Sequence, residues 1–218
     1  IIGAPTEADS GAVYVFASDE TGWHQTERLQ AGDPETSELF GRSVALDAAG
    51  TYALVGAHEG AYGFLKEDSW TLRHQPVLDT DTEWNEPGDR WGRVVTLDDA
   101  GQTAIMANPT VGFGFGEARL FTRDSEGWSH EGLLGTGVED HYYGAALDIT
   151  GDGSVGIMGT DVWLEGVGEP QTQGYAEIVS TTSGEWDPSR VTLVPDDGLE
   201  GDHFGRGVAI DDAASTVL

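Results

Sequence analysis

Residues 38–57, ELFGRSVALDAAGTYALVGA, return in altered form at residues 203–218 as HFGRGVAIDDAASTVL. Two further copies align on the run of small apolar residues that ends in aspartate: WGRVVTLD at residues 91–98 and HYYGAALD at residues 141–148. Self-similarity at intervals of about 50 residues is typical of repeat architectures. The pattern therefore predicts one structural unit that is used four times.

Each copy contains four short apolar runs. In the first copy these are SVALD, TYALVGA, GAYGFL and the tryptophan-led SWTLRHQPVL. The runs are rich in β-branched and aromatic residues and are bounded by Gly, Asp, Ser and Pro, which favours strands. No segment keeps a helical period over ten residues. We therefore expect an all-β fold in which every repeat is a meander of four strands.

Four-stranded units of this length are typical of β-propeller blades. We expect one domain over residues 1–218, with repeats centred on residues 40–65, 91–121, 141–179 and 204–218, the last continuing into residues 1–16. STVL at the C-terminus and IIGAP at the N-terminus together supply one second strand. This allows a closed four-bladed ring, whose last blade uses both termini, or a four-blade fragment of a larger propeller. We favour the closed ring because it would hide strand edges.

These residues resemble the FG-GAP repeat family, whose β-propellers also form the heads of integrin α-subunits. The resemblance rests on Phe40-Gly41 and Phe204-Gly205, on Gly3-Ala4-Pro5, and on the Gly56-Ala57 variant. It covers nearly the whole chain. The third repeat departs most, because Tyr143-Gly144 lies too close to Asp148 to match the FG position, and Gly159-Thr160 replaces Gly-Ala.

The resemblance also implies a calcium loop in one hairpin turn. The family pattern D-x-[DNST]-x-D-G fits residues 148–153, where Asp148, Thr150 and Asp152 would supply oxygen ligands. The family's later acidic residue is replaced by Gly156, and a solvated Asp-Gly turn is the alternative. The acidic residues 79–89 are similar to an EF-hand loop, but Trp84 stands where that loop needs glycine. A hydrated acidic connection explains residues 79–89 better than a second calcium site.

No catalytic motif or cofactor site apart from calcium is predicted. The chain has no cysteine, and it has no metalloprotease, nucleophile-elbow or phosphate-binding pattern. Surface or packing roles are expected for the histidines, which are His24, His58, His74, His130, His141 and His203. One tryptophan leads the outer strand of each repeat, and we expect it to cover the outer face of its blade, although aromatic faces also suit sugar rings. These are Trp23, Trp70, Trp128 and Trp186.

Charge narrows the range of partners. There are 39 acidic and 10 basic residues, which give a formal net charge of -29. Such a surface repels nucleic acid, and no apolar run has the length of a membrane span. An excess of carboxylates, with arginine in place of lysine, resembles proteins of salt-loving microbes. An ordinary acidic secreted protein is the alternative.

Together these features predict a non-enzymatic interaction or adhesion module, extracellular or at the cell surface, in a high-salt environment. One face of the propeller would bind a protein or glycan partner, and other segments of a larger surface protein could be neighbours. Two alternatives stay open: a glycan-active enzyme, either a hydrolase or a lyase, that uses a pair of carboxylates, or a structural segment of a surface filament.

The charge excess generates a first testable expectation. Because molar salt screens repulsion among the 39 acidic residues, the melting temperature should rise between low salt and molar KCl, as measured by circular dichroism. An unchanged or lower melting temperature in molar salt would contradict the high-salt interpretation.

Overall fold

The computed structural model describes residues 1–32, 39–58, 60–74, 92–137, 141–161, 173–182 and 185–218. Within these ranges the chain forms four antiparallel sheets. The helical residues there comprise a single turn of α-helix, α1 (Val111–Gly114), and a 3-10 turn (Glu7–Asp9). The prediction of an all-β fold is confirmed.

The strands follow one another in chain order within every sheet. Sheet I contains β1 (Ile2–Ala4), β2 (Ala12–Asp19) and β3 (Gly22–Leu29). Sheet II contains β4 (Ser43–Leu46), β5 (Tyr52–Gly56), β6 (Ala61–Lys66) and β7 (Trp70–His74). Sheet III contains β8 (Val94–Leu97), β9 (Thr103–Asn108), β10 (Glu117–Arg123) and β11 (Trp128–Thr136). Sheet IV contains β12 (Ala146–Ile149), β13 (Val155–Gly159), β14 (Ala176–Thr182) and β15 (Glu185–Leu193).

A last pair of short strands follows sheet IV. Residues 209–218, here called the terminal hairpin, are joined by an antiparallel bridge between Ile210 and Val217. In sheets II, III and IV the turn between the first two strands and the turn between the last two lie at one end, the turn end. The connections between the second and third strands of these sheets lie at the opposite end, the loop end. In sheet I the β2–β3 turn corresponds to the turn end and the β1–β2 connection to the loop end.

Apolar side chains fill the space between neighbouring sheets. Phe40 is wholly buried between sheets I and II, and its ring lies edge-on to Tyr62 and Phe64 at centroid distances of 5.5 and 5.9 Å. Leu54, Met106 and Phe121 belong to the cluster between sheets II and III. Ile105, Tyr143 and Met158 belong to the cluster between sheets III and IV. Face-to-face packing of such meanders gives the propeller architecture.

A glycine contact between backbones joins neighbouring sheets at their inner strands. A Cβ on Gly56 of sheet II would lie 2.1 Å from the carbonyl oxygen of Gly92, which leads into sheet III. A Cβ on Gly159 would lie 1.8 Å from the carbonyl oxygen of Gly205 in the same way. Gly92 and Gly205 themselves have φ values of 97° and 92°, which favour glycine. The FG and GA motifs are thus the two halves of one joint between sheets.

The third repeat keeps the FG register, contrary to the expectation from sequence. Gly144 donates its N–H to Gly159 as Gly41 does to Gly56, and Tyr143 is wholly buried like Phe40. The backbone N–H of Thr150 bonds to Val155, as that of Asp47 bonds to Tyr52. Thr150, and not Asp148, therefore corresponds to the conserved-looking aspartate of the other copies. An alignment on the letters ALD therefore places the third repeat two residues out of register.

Of the two expected arrangements, the structure has the open one. β1 pairs with β2 alone, and the terminal hairpin does not join sheet I. Ile2 and Leu218 remain 58% and 88% exposed. The expectation of a closed four-bladed ring is therefore wrong for the described residues, because β1 and the terminal hairpin do not form one sheet.

The joint predicts a sharp difference between two glycine substitutions. Gly56→Ala places a methyl group against the Gly92 carbonyl, whereas Gly32 has open space around the same position and no unusual φ. Gly56→Ala should lower the free energy of unfolding by about 1–3 kcal/mol, the usual cost of overpacking. Gly32→Ala should change it little. Urea denaturation gives the free energy of unfolding of both variants. Equal values would show that the Gly56–Gly92 contact does not limit how closely the sheets pack.

Candidate functional site

Aspartates cap the hairpins at the turn end. Asp98 Oδ1 accepts hydrogen bonds from the backbone N–H groups of Gln102 and Thr103 at 2.7 and 2.9 Å. Asp47 accepts equivalent bonds from Thr51 and Tyr52 at 2.7 and 2.9 Å. Asp47 and Asp98 are both buried. Their carboxylates therefore satisfy backbone donors at the start of each second strand, which is a structural role.

The predicted calcium residues lie in the third of these turns. The Thr150 hydroxyl donates to Asp152 Oδ1 at 2.7 Å and accepts the N–H of Val155 at 3.1 Å. Asp152 Oδ1 also accepts from the side chain and the N–H of Ser154, and with Thr150 these bonds lower the pKa of the Asp152 carboxyl group. Asp148 Oδ2 instead accepts the N–H of Ile210 at 2.8 Å. The structure thus joins Thr150 to Asp152, while Asp148 bonds to the terminal hairpin.

Metal binding at this turn stays a prediction. Within the ranges that the structure describes, no three His, Asp or Glu side chains are grouped so as to hold an ion. Residues 79–89, the second acidic segment considered from sequence, lie outside the described residues.

The histidines are spread over the sheets. His74 Nδ1 lies 3.0 Å from the Tyr52 hydroxyl, and burial lowers the pKa of His74. His203 Nδ1 lies 3.0 Å from Asp161 Oδ1. His141 is buried and its ring lies 5.9 Å from that of Tyr175. Each of these imidazoles has a separate local partner.

Two of the repeated tryptophans, each expected to cover the outer face of its own blade, also contact the preceding sheet. The Trp128 indole N–H of sheet III donates to the Tyr52 hydroxyl of sheet II at 2.8 Å. Trp70 of sheet II is buried in the cluster shared with sheet I. Trp23 is 73% exposed, and among the described residues no sheet precedes sheet I in the chain.

Two arginines line a cavity of about 270 Å³ at the loop end. Arg42 and Arg93 directly follow the FG glycines that lead into sheets II and III. Tyr142, Ala145 and Asp161 approach the same cavity from the third repeat. Arg93 Nη1 donates to the Thr110 hydroxyl, which holds one guanidinium at the wall. The arrangement places two permanent positive charges at one opening of a strongly acidic protein.

The carboxylate of this cavity is already engaged by Arg206 and His203 of the next repeat. Asp161 Oδ2 lies 3.6 Å from Arg206 Nε, and its Oδ1 contacts His203. Arg206 is the third arginine that follows an FG glycine. Arg42 and Arg93 line the same cavity as Asp161 and keep it rich in guanidinium groups. Such a site suits carboxylate, sulfate or phosphate groups of a partner.

Sequence reasoning missed this cavity. Its signal is the arginine that follows the glycine of FGR in two repeats and of WGR in a third. The formal net charge of -29 conceals it as well, because a total for the chain does not show where positive side chains cluster.

The motif and the fold agree with a known family. Residues 23–65 match the family described as FG-GAP repeat. The chain carries an FG-GAP repeat. The match spans β3 and the first three strands of sheet II, and so includes the Gly41–Gly56 contact. No curated protein matches the chain in sequence.

Solved β-propellers share the architecture of this FG-GAP chain. A functionally unknown protein from Desulfotomaculum acetoxidans is 10% identical, with a TM-score of 0.57 over 96% of this chain and 56% of that one. The β-propeller domain of Cps50 (Swd1) from Myceliophteria thermophila is 13% identical, with a TM-score of 0.55 over the same shares. The chain spans a little over half the length of these structures. At such identities the likeness shows the fold alone.

The calcium prediction has a direct test. Calcium should raise the melting temperature and a chelator should reverse the rise, since the ion would bind the folded turn and not the unfolded chain. Asp152→Asn should abolish the response. Asp124→Asn, in an exposed turn of sheet III, should keep it. If the melting temperature of the wild type changes with neither calcium nor chelator, residues 148–153 are a turn that binds no ion.

Proposed function

We propose that this FG-GAP propeller chain is a non-enzymatic interaction module, extracellular or at the cell surface, whose loop end binds a protein or glycan partner. The FG-GAP β-propeller fold supports a protein-interaction module in general. The arginine-lined cavity carries the more specific proposal, because it gives an acidic chain one place suited to negative groups. Calcium, if bound, serves stability at the turn end.

The shifted pKa values of the carboxyl groups bear on the choice between binding and glycan hydrolysis. The described carboxyl groups with a shifted pKa are Glu7, Asp19, Asp152 and Asp211. All four pKa values are lowered by hydrogen bonds. A glycosidase needs a carboxyl group that stays protonated near neutral pH, which requires a raised pKa.

The location follows from the same features. A dense carboxylate surface keeps a protein hydrated where salt is high. The helices that the structure describes are also too short to cross a bilayer. We therefore propose a secreted or surface-exposed location in a saline environment.

Binding of three soluble probes to the immobilised protein tests whether the arginine-lined cavity is a binding site. Biolayer interferometry would compare an acidic peptide, oligoalginate and neutral dextran. The two carboxylate-bearing probes should bind, and Arg42→Ser/Arg93→Ser should weaken them at least about tenfold, since charge-assisted bonds contribute about 1.5–3 kcal/mol each. Arg73→Ser, which removes an exposed arginine of β7 paired with Glu67, is the matched control and should bind like wild type.

Two results would overturn the proposal. Equal binding by the wild type and the Arg42→Ser/Arg93→Ser variant would show that the loop-end cavity is not the binding site. Shortened oligoalginate after incubation, seen by chromatography, would instead favour the glycan-active enzyme.

A further inference from the structure

A second cavity opens at the turn end, between sheets III and IV. Its volume is about 560 Å³, within the range of about 300–1,000 Å³ that is usual for small-molecule sites. The polar and aromatic residues that line it are Thr103, Thr122, Glu131, Asp152, Ser154, Thr181 and Trp186. Leu120 is buried beneath them.

The equivalent position between sheets II and III is filled by side chains. Tyr52 is almost wholly buried there, and its hydroxyl accepts the indole N–H of Trp128. The Arg123 guanidinium lies 3.8 Å above the centre of the Tyr52 ring. Arg123 Nε also donates to the carbonyl oxygen of Gly101. These three large side chains leave no room for a ligand.

Strand register shows which residues take their places in the next joint. Thr103 corresponds to Tyr52, because each donates its N–H to the capping aspartate and opens the second strand. Thr181 pairs with Trp186 in sheet IV as Arg123 pairs with Trp128 in sheet III. Two large side chains are thus replaced by threonines, while the tryptophan is kept. The cavity follows from these two replacements.

The lining has the chemistry of a neutral sugar site. The half-buried Trp186 supplies an aromatic face for the C–H groups of a pyranose ring. Threonine hydroxyls donate and accept, and a ligand hydroxyl can occupy the position that the Tyr52 phenol has in the other joint. Thr122 donates to Glu131 Oε1, which fixes that carboxylate at the rim. The hydrogen bonds that Asp152 accepts from Thr150 and Ser154 all end on Oδ1. Its Oδ2 can therefore accept from a sugar hydroxyl.

Charge excludes the other common ligands. The lining contains two carboxylates and no arginine or lysine. An anionic ligand would be repelled by Glu131 and Asp152. Several hydroxyl groups and a single aromatic face match a polyhydroxylated ring better than a quaternary ammonium ion, which is usually enclosed by several aromatic rings.

We propose that the cavity between sheets III and IV binds a neutral mono- or disaccharide. This site lies at the opposite end from the arginine-lined cavity and goes beyond the loop-end binding described above. The two sites use different residues, so either can fail without the other.

Titrations with glucose, maltose and cellobiose test the proposal on the intact 218-residue chain. Isothermal calorimetry gives affinities, and the Trp186 indole N–H signal, assigned with Trp186→Phe, reports the site by NMR. At least one neutral sugar should bind and shift this signal. Glucuronate and choline serve as charged probes and should bind at least about tenfold more weakly.

The neighbouring joint shows which substitutions would fill the cavity. Thr103→Tyr/Thr181→Arg copies the packing around Tyr52 and Arg123, and it should abolish sugar binding while the strand signal in circular dichroism persists. Glu131→Gln should weaken binding about tenfold, through loss of a charged acceptor. Glu126→Gln, in the exposed turn of the same strand pair, is the matched control and should leave affinity unchanged.

Three outcomes would overturn the proposal: no neutral sugar binds, choline binds best, or sugar binding survives in Thr103→Tyr/Thr181→Arg. If that variant fails to fold, Glu131→Gln and the Trp186 signal still decide. Arg42→Ser/Arg93→Ser should keep full sugar affinity, which separates this site from the loop-end proposal.

Discussion

The close approach of backbone to backbone at the inner strands is the constraint on which the rest of the structure depends. Gly56 and Gly159 each lie against the carbonyl of a glycine in the next repeat, and a side chain would fit at neither. The Gly56 contact fixes the approach of sheets II and III, between which the apolar cluster of Leu54, Met106 and Phe121 lies. The motif that identifies the family is therefore a packing device, and it carries no chemistry of its own.

The residues that differ between one joint and the next lie farther from the inner strands. The joint between sheets II and III is closed by Tyr52, Arg123 and Trp128, whereas the next joint keeps the tryptophan and replaces the other two residues by threonine. At the inner strands of sheets III and IV, Gly144 lies so close to Ala107 that an added Cβ would meet the Ala107 side chain at 2.5 Å, and this contact persists beside the cavity. A rigid inner framework is what allows an open cavity nearer the outside.

Much of the fold could be predicted from the sequence, because strand runs and glycine punctuation are local signals. The register of the third repeat could not be inferred from similar letters: ALD around Asp148 resembles VALD, while the hydrogen bonds place Thr150 there. The open arrangement could not be predicted either, since the rotation between sheets is a property of the joint and not of any one strand. The exchange of Tyr52 for Thr103 is visible in the aligned repeats, but a cavity appears only when the residues of both sheets are considered together.

The backbone joint also bears on how such arrays change over generations. At the inner strands, units meet through main-chain atoms at Gly56 and Gly159, and these atoms are the same whatever the flanking side chains are. A gene segment that encodes one unit could then be copied or deleted in frame, and the flanking units would still dock. Lengthening of the array and divergence of individual crevices become separate events, so new specificities can arise in spare copies while the older ones persist.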